Sequence, residues 1–121
     1  MLLTMLNPFG AGGETIDPTK AVTMIKKGQA VLVDVRETGE FAGGHASGAV
    51  NVPMGQVARM ANPSGAGCLP ELKAGKPVIL YCASGARSGM AGKMFRKLGH
   101  GEVYNLGSLS DWSNAGGRVQ R

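Results

Sequence analysis

The chain has 121 residues, 43% of them hydrophobic and 17% charged, a balance that fits one soluble domain with its own core and excludes a disordered chain. Its formal charge is +5, but the positive residues are scattered, without a dense basic tract or interleaved aromatics. Nucleic acid is therefore not an expected partner, and the mild positive field favours encounter with a small anion or an acidic protein.

No apolar run approaches the roughly 20 residues of a membrane helix, so no membrane partner is expected. Two cysteines are too few for a disulfide framework and suit a reducing compartment, read here as the cytoplasm. Met1–Leu6 is apolar but short and lacks a basic leader, then runs into Asn7-Pro8-Phe9-Gly10 and further glycines. Residues 1–13 thus read as a flexible N-terminal segment and not as a signal peptide, with the folded domain covering 14–121.

From there the elements follow in order. Glu14-Thr15-Ile16 reads as a short first strand. Asp17-Pro18 is a good helix start, with a carboxylate cap and proline at the first helical position. Ala21, Val22, Met24 and Ile25 give that helix an apolar face, and Gly28 closes it. Val31-Leu32-Val33-Asp34-Val35 is a second, buried strand. Helix between strands, repeated, predicts βαβ units and a mainly parallel sheet. Arg36 to Phe41 reads as a charged loop clamped to the sheet edge, and Gly43 to Ala49 as a turn into the short strand Val50-Asn51-Val52. A helical turn is expected over Met54–Met60. Asn62 to Pro70, rich in breakers, reads as a surface loop carrying Cys68.

Pro77-Val78-Ile79-Leu80-Tyr81 is an apolar, β-rich run of the kind buried on both faces. Cys82 follows at its end, then the small residues Ala83, Ser84, Gly85 and Ala86, then Arg87 and Ser88. Beyond them Met90, Ala91, Met94, Phe95 and Leu98 recur as one apolar helix face, stopping at Gly99. The cysteine therefore stands where a strand turns directly into a helix. Backbone N–H groups of the small loop and of the helix start would form a concave cradle for an anion. Such donors favour the thiolate, so Cys82 is the candidate nucleophile and its loop the candidate substrate cradle; the alternative is a buried cysteine that merely ends a core strand. In parallel α/β sheets ligands bind beyond the carboxyl ends of the strands, which puts Asp34 and Arg36 on the same edge as Cys82. Glu102–Leu106 makes the last strand, and Ser108 caps a final helix containing Leu109 and Trp112 and ending at Gly116-Gly117.

These residues resemble a known family. Asp34-Val35-Arg36-Glu37 with Glu40-Phe41, Gly44-His45 and Gly48-Ala49-Val50-Asn51-Val52-Pro53 is similar to the first signature of rhodanese-like domains. Val78 to Cys82 with Ser84-Gly85 and Arg87-Ser88 resembles their active-site segment. Val103-Tyr104-Asn105-Leu106-Gly107, with Trp112 beyond, resembles their closing segment. The resemblance runs from about Ile16 to Gly117 in one copy. It implies an α/β three-layer sandwich, with a mainly parallel five-stranded sheet and helices on both faces.

The resemblance further implies a thiosulfate sulfurtransferase. Cys82 would attack the outer sulfur of thiosulfate or a similar small anionic donor. The persulfide on Cys82 would then pass its terminal sulfur to cyanide, a thiol or a protein acceptor, with no metal or organic cofactor. Ala83, Ser84, Gly85, Ala86, Arg87 and Ser88, with Arg36 and Asp34, would border the substrate. The alternative is a sulfur-relay or regulatory protein-binding module with little turnover of small donors. Related phosphatase and arsenate-reductase domains use Cys-x5-Arg, whereas here the spacing is Cys-x4-Arg and Ser88 holds the phosphatase arginine position.

Two departures stand out. Ala83 replaces the cation that some members carry, and Gly107-Ser108 replaces the usual Gly-Gly pair. Arg87 either binds the donor's charge or points outward, and Asp34 with Arg36 either borders the pocket or forms an ion pair fixing the loop. His45 reads as a turn-stabilising hydrogen bonder, Cys68 as an incidental thiol or a resolving one, and Trp112 and Phe95 as core.

Overall fold

Every residue of the run Val78–Cys82 is buried, and the rest of the chain is laid around it. The structure, a computed structural model, describes residues 14–121; the segment expected to be flexible over 1–13 lies outside the described residues. In chain order the elements are β1 (Glu14–Thr15), α1 (Pro18–Lys26), β2 (Val31–Asp34), α2 (Thr38–Ala42), β3 (His45–Ala46) and β4 (Val50–Asn51). Then come α3 (Val57–Met60), β5 (Val78–Cys82), α4 (Ala86–Lys97), β6 (Val103–Ser108), α5 (Leu109–Asn114) and β7 (Val119–Gln120).

Five strands form a sheet in the order β1-β6-β5-β2-β4, with every pairing parallel. The expected α/β sandwich is therefore present, with β5 at the centre. The side-chain period of two splits β5 between two cores. Val78, Leu80 and Cys82 pack on one face with Val33, Val35, Ala91 and Phe95. Ile79 and Tyr81 pack on the other with Ala21, Val22, Leu106 and Trp112. Helices α3 and α4 cover the first face, α1 and α5 the second. Phe95 and Trp112 are core, as expected.

The helix starts follow their local chemistry. Asp17 accepts the Thr19 N–H at 3.0 Å with Pro18 at the first helical position, and Ser108 and Asp111 cap α5 reciprocally through each other's backbone N–H. This places Ser108, which departs from the Gly-Gly pair, in a capping role.

Four features depart from the sequence reading. The loop expected at 36–41 contains the short helix α2, none of whose residues is buried; Glu40 accepts the Glu37 N–H at its start. The turn expected at 43–49 contains β3, which pairs antiparallel with β7 from the far end of the chain. Met90 is 62% exposed, because the buried stripe of α4 is Ser88, Ala91, Gly92 and Phe95, which is the i, i+3, i+4, i+7 face. Cys68 is buried against the first core, its Sγ bonded to the Leu69 carbonyl at 3.4 Å. Both cysteines are free.

At the carboxyl end of β2 a buried polar network ties the sheet to its loops. Asp34 is 0% and Arg36 8% exposed. The Arg36 guanidinium donates to both Asp34 carboxylate oxygens, the shortest contact being 2.7 Å, and to the Gly44 carbonyl at 2.7 Å. Tyr81 donates its hydroxyl to Asp34 at 2.5 Å and accepts the Ala46 N–H at 3.0 Å. Burial and the bond to Asp34 push the Tyr81 hydroxyl well above the ordinary phenol range. Asn51 donates to the Asp34 and Arg36 carbonyls, 3.0 Å each.

Removing one member of a buried pair leaves the other charge without compensation. Asp34→Ala is expected to cost about 3–5 kcal/mol of stability in urea unfolding. Tyr81→Phe, which removes one of several bonds to Asp34 and leaves the Ala46 N–H unpaired, should cost about 1–3 kcal/mol.

Candidate active site

Cys82 ends β5 and the chain turns at once into α4. Gly85 makes this turn at φ +97°, a left-handed conformation costly for other residues. A Cβ at Gly85 would also stand 3.4 Å from the Gly107 Cα. The loop is thus pressed against β6.

The turn points its donors at sulfur. The Gly85 N–H reaches Cys82 Sγ at 2.9 Å, and the Ser88 N–H and hydroxyl each lie 3.4 Å from it. Burial pushes the thiol up. The Ser88 hydroxyl, with the Ser88, Ser84 and Gly85 amides, opposes it, and the result lies below the ordinary thiol value. Hydrogen bonds to an anion are stronger than neutral ones, so donors favour the thiolate over the thiol.

The sequence suggested a cradle open to an outside anion. In the structure the sulfur itself occupies it: Cys82 is 0% exposed, while Ala83, Ser84 and Ala86 form an exposed lip.

The structure brings the loop residues Ala83 to Ser88 together around Cys82, but gives Arg87, Arg36 and Asp34 partners of their own. Arg87 forms a two-pronged ion pair with Glu40, at 2.7 and 3.1 Å. Arg36 and Asp34 hold each other in the buried network. His45 donates Nδ1–H to the Phe41 carbonyl at 2.8 Å and stacks on the Phe41 ring, which is the turn-stabilising arrangement. Among the described residues no group of three or more His, Cys, Asp or Glu side chains could hold a metal. A cavity of about 340 Å³, lined by Ile25, Val31, Leu32, Val50 and Lys76 among others, contains none of these site residues.

Asn105 and Glu40 were not singled out by residue chemistry. Asn105 comes from β6, opposite Leu80, and touches Ser88, Gly85 and Gly107. Glu40 holds Arg87 from another element. Neither role has a local signal; the strand register and the fold of α2 create them.

The rhodanese-like domain model matches residues 17–115. The chain belongs to the rhodanese-like domain family. Its relatives include the uncharacterized protein YqhL of Bacillus subtilis, 42% identical over 93 residues, 76% of this chain and 65% of that one. The thiosulfate:glutathione sulfurtransferase of Saccharomyces cerevisiae is 33% identical over 98 residues, 72% of this chain and 67% of its own. Among solved structures, a Rhodopseudomonas palustris protein of unknown function, described as a possible tyrosine phosphatase, superposes with a TM-score of 0.80 at 26% identity. That match covers 99% of this chain and 94% of the other. The chain spans between 40% and 67% of the length of the first five curated relatives. No helix among the described residues is long and apolar enough to cross a membrane.

The Arg87–Glu40 pair gives a pH prediction for this rhodanese-like domain. The bond from Arg87, then that from the Glu37 N–H, lowers the Glu40 carboxyl to about 2. A depressed carboxylate contributes stability above its unfolded value near 4.3 and loses it as pH falls through its folded value. Both side chains are over a third exposed, so the contribution is discounted to about 0.2–1 kcal/mol. A double-mutant cycle of Arg87→Ala and Glu40→Ala should show that coupling at pH 7 and a progressive loss between pH 4.5 and 2.

Proposed function

We propose that this rhodanese-like domain is a sulfurtransferase that carries sulfane sulfur as a persulfide on Cys82. The observation that carries the reading is the convergence of the Gly85 and Ser88 N–H groups on one sulfur atom, with the Ser88 hydroxyl oxygen 3.4 Å from it. Groups placed this way stabilise a nucleophilic thiolate before the reaction and the same thiolate as leaving group afterwards.

The chemistry balances without an added oxidant or reductant. The Cys82 thiolate attacks the outer sulfur of thiosulfate, the S–S bond of the donor breaks, and its electron pair leaves on sulfite. A cyanide ion, a thiolate or a protein thiolate then attacks the terminal sulfur of the persulfide, and Cys82 departs as thiolate. Gly85 and Ser88 hold the sulfur, and Ser84 adds its amide. Ala83, Ser84 and Ala86 form the lip that a donor displaces to reach it, and Arg87 stands beside that mouth. Asp34 and Arg36 frame the site through their mutual pair. Two free cysteines suit a reducing compartment, so the cytoplasm is the proposed location. The thiosulfate:glutathione sulfurtransferase among the relatives supports the donor class.

Two observations favour the relay reading, with a protein donor or acceptor and little turnover of small anions. Arg87 is already neutralised by Glu40, and Cys82 is 0% exposed. The phosphatase reading is disfavoured by Ser88, whose side chain faces the sulfur where an arginine would be required.

After incubation with thiosulfate, intact mass spectrometry should show a gain of one sulfur that cyanide removes. Cys82→Ser should abolish both that gain and thiosulfate:cyanide turnover. A gain only with protein persulfide donors would select the relay reading; no adduct with any sulfane donor would overturn the persulfide mechanism.

A further inference from the structure

The Ser88 hydroxyl stands at a junction with more acceptors than it has protons. Its oxygen lies 2.7 Å from Asn105 Oδ1, 3.4 Å from Cys82 Sγ and 3.2 Å from the Gly85 carbonyl. A hydroxyl has one proton, so it cannot donate to all of them at once.

The orientation of Asn105 is set by two backbone groups. Gly107 donates its N–H to Oδ1 at 3.0 Å, and Nδ2 donates to the Gly85 carbonyl at 3.1 Å. A backbone N–H only donates and a carbonyl only accepts, so the amide cannot be turned over. Asn105 therefore presents an acceptor to Ser88. A 2.7 Å approach of two oxygens, one of which has no proton, requires the Ser88 proton to lie between them.

While that proton is on Asn105, the Ser88 oxygen shows a lone pair to Cys82. This suits a neutral thiol, which can donate its weak S–H to it. It does not suit a thiolate, which needs the O–H turned toward sulfur. The rotation of one C–O bond exchanges the two arrangements. Asn105 Oδ1 keeps the Gly107 N–H in both.

We propose that Asn105 is a positioning residue that holds the Ser88 hydroxyl proton while the Cys82 sulfur is neutral and yields it when the sulfur becomes an anion. The inference rests on the reading of Cys82 as an ionising nucleophile. In the step, the S–H bond breaks, its electron pair stays on sulfur and the proton leaves to solvent water. The Ser88 O–H bond rotates intact. Asn105 thereby opposes ionisation, and the switch reports the charge on sulfur to the β6 backbone.

The charged groups around this junction are engaged with other partners, apart from Glu37, which faces the backbone at the start of α2. Arg87 of α4 and Glu40 of α2 pair with each other, Asp34 and Arg36 pair at the end of β2, and Asp111 of α5 caps its own helix. Tyr81 of β5 donates its hydroxyl to Asp34.

The test follows Cys82 alkylation by iodoacetamide against pH, read by peptide mass so that Cys68 does not contribute. Asn105→Ala is made in the natural background and in Ser88→Ala. Loosening of the loop from lost bonds to Gly85 and Gly107 is common to both backgrounds and cancels in the difference. The expected difference is a downward displacement of about one pH unit, a tenfold change in proton affinity, present only with Ser88. Equal displacements in the two backgrounds overturn the proposal.

A second measurement leaves Asn105 in place. In the unaltered protein the Gly107 amide resonance should move with Cys82 ionisation, as Oδ1 loses one of its two donors, and should stay flat in Ser88→Ala. A flat Gly107 resonance in the unaltered protein overturns the proposal. Alkylation reads ionisation whether or not sulfur is transferred. A protein that titrates in the expected way but forms no persulfide would refute the sulfurtransferase reading and leave the switch standing.

Discussion

The placement of one sulfur atom under a ring of hydrogen-bond donors governs this structure. A buried thiol ordinarily resists ionisation, because the low-dielectric interior penalises the anion. Here the Gly85 and Ser88 donors reverse that penalty at Cys82. They do so only because β5 brings the chain out of the sheet at a fixed point and Gly85 turns it sharply enough for its own N–H to look back. The apolar residues of β5 contribute no chemistry. They fix where the chemistry happens.

Charge is the second constraint. Two ion pairs stand near this end of the sheet: Asp34 with Arg36 in the interior and Glu40 with Arg87 at the surface. The buried pair anchors Tyr81 of β5 and Gly44 just before β3, whereas the surface pair holds α2 against the start of α4. A site that must stabilise an anion with backbone dipoles gains from quiet surroundings, because an unpaired carboxylate nearby would oppose the same charge.

Much of this was legible in the sequence. The β5 run, the small loop and the capping pair Asp17-Pro18 carry local signals, and the order of strand and helix patterns implied a parallel sheet. What stayed hidden is non-local. Strand β3 finds its partner β7 across most of the chain, and two-residue strands have no pattern of their own. Helix α2 buries nothing, so no periodicity announces it. The spacing of Met90, Ala91, Met94, Phe95 and Leu98 predicts one apolar face for α4, but the buried stripe runs through Ser88 and Gly92, which an apolar count passes over, and leaves Met90 outside. Asn105 stands at the junction because β5 and β6 share a register, a relation no single segment records.

That register contains an irregularity. Leu80 pairs with Asn105 and Tyr81 with Gly107, so β6 carries Leu106 as an additional residue between them. The bulge lets Asn105 and Gly107 both arrive at the Cys82 loop from the same short stretch. A β6 shortened by one residue would knit a smoother ladder with β5, yet it would deliver either the amide side chain or the close-packing glycine, not both. At this point the sheet has given up regularity, and the latch on the sulfur loop is what the irregularity supplies.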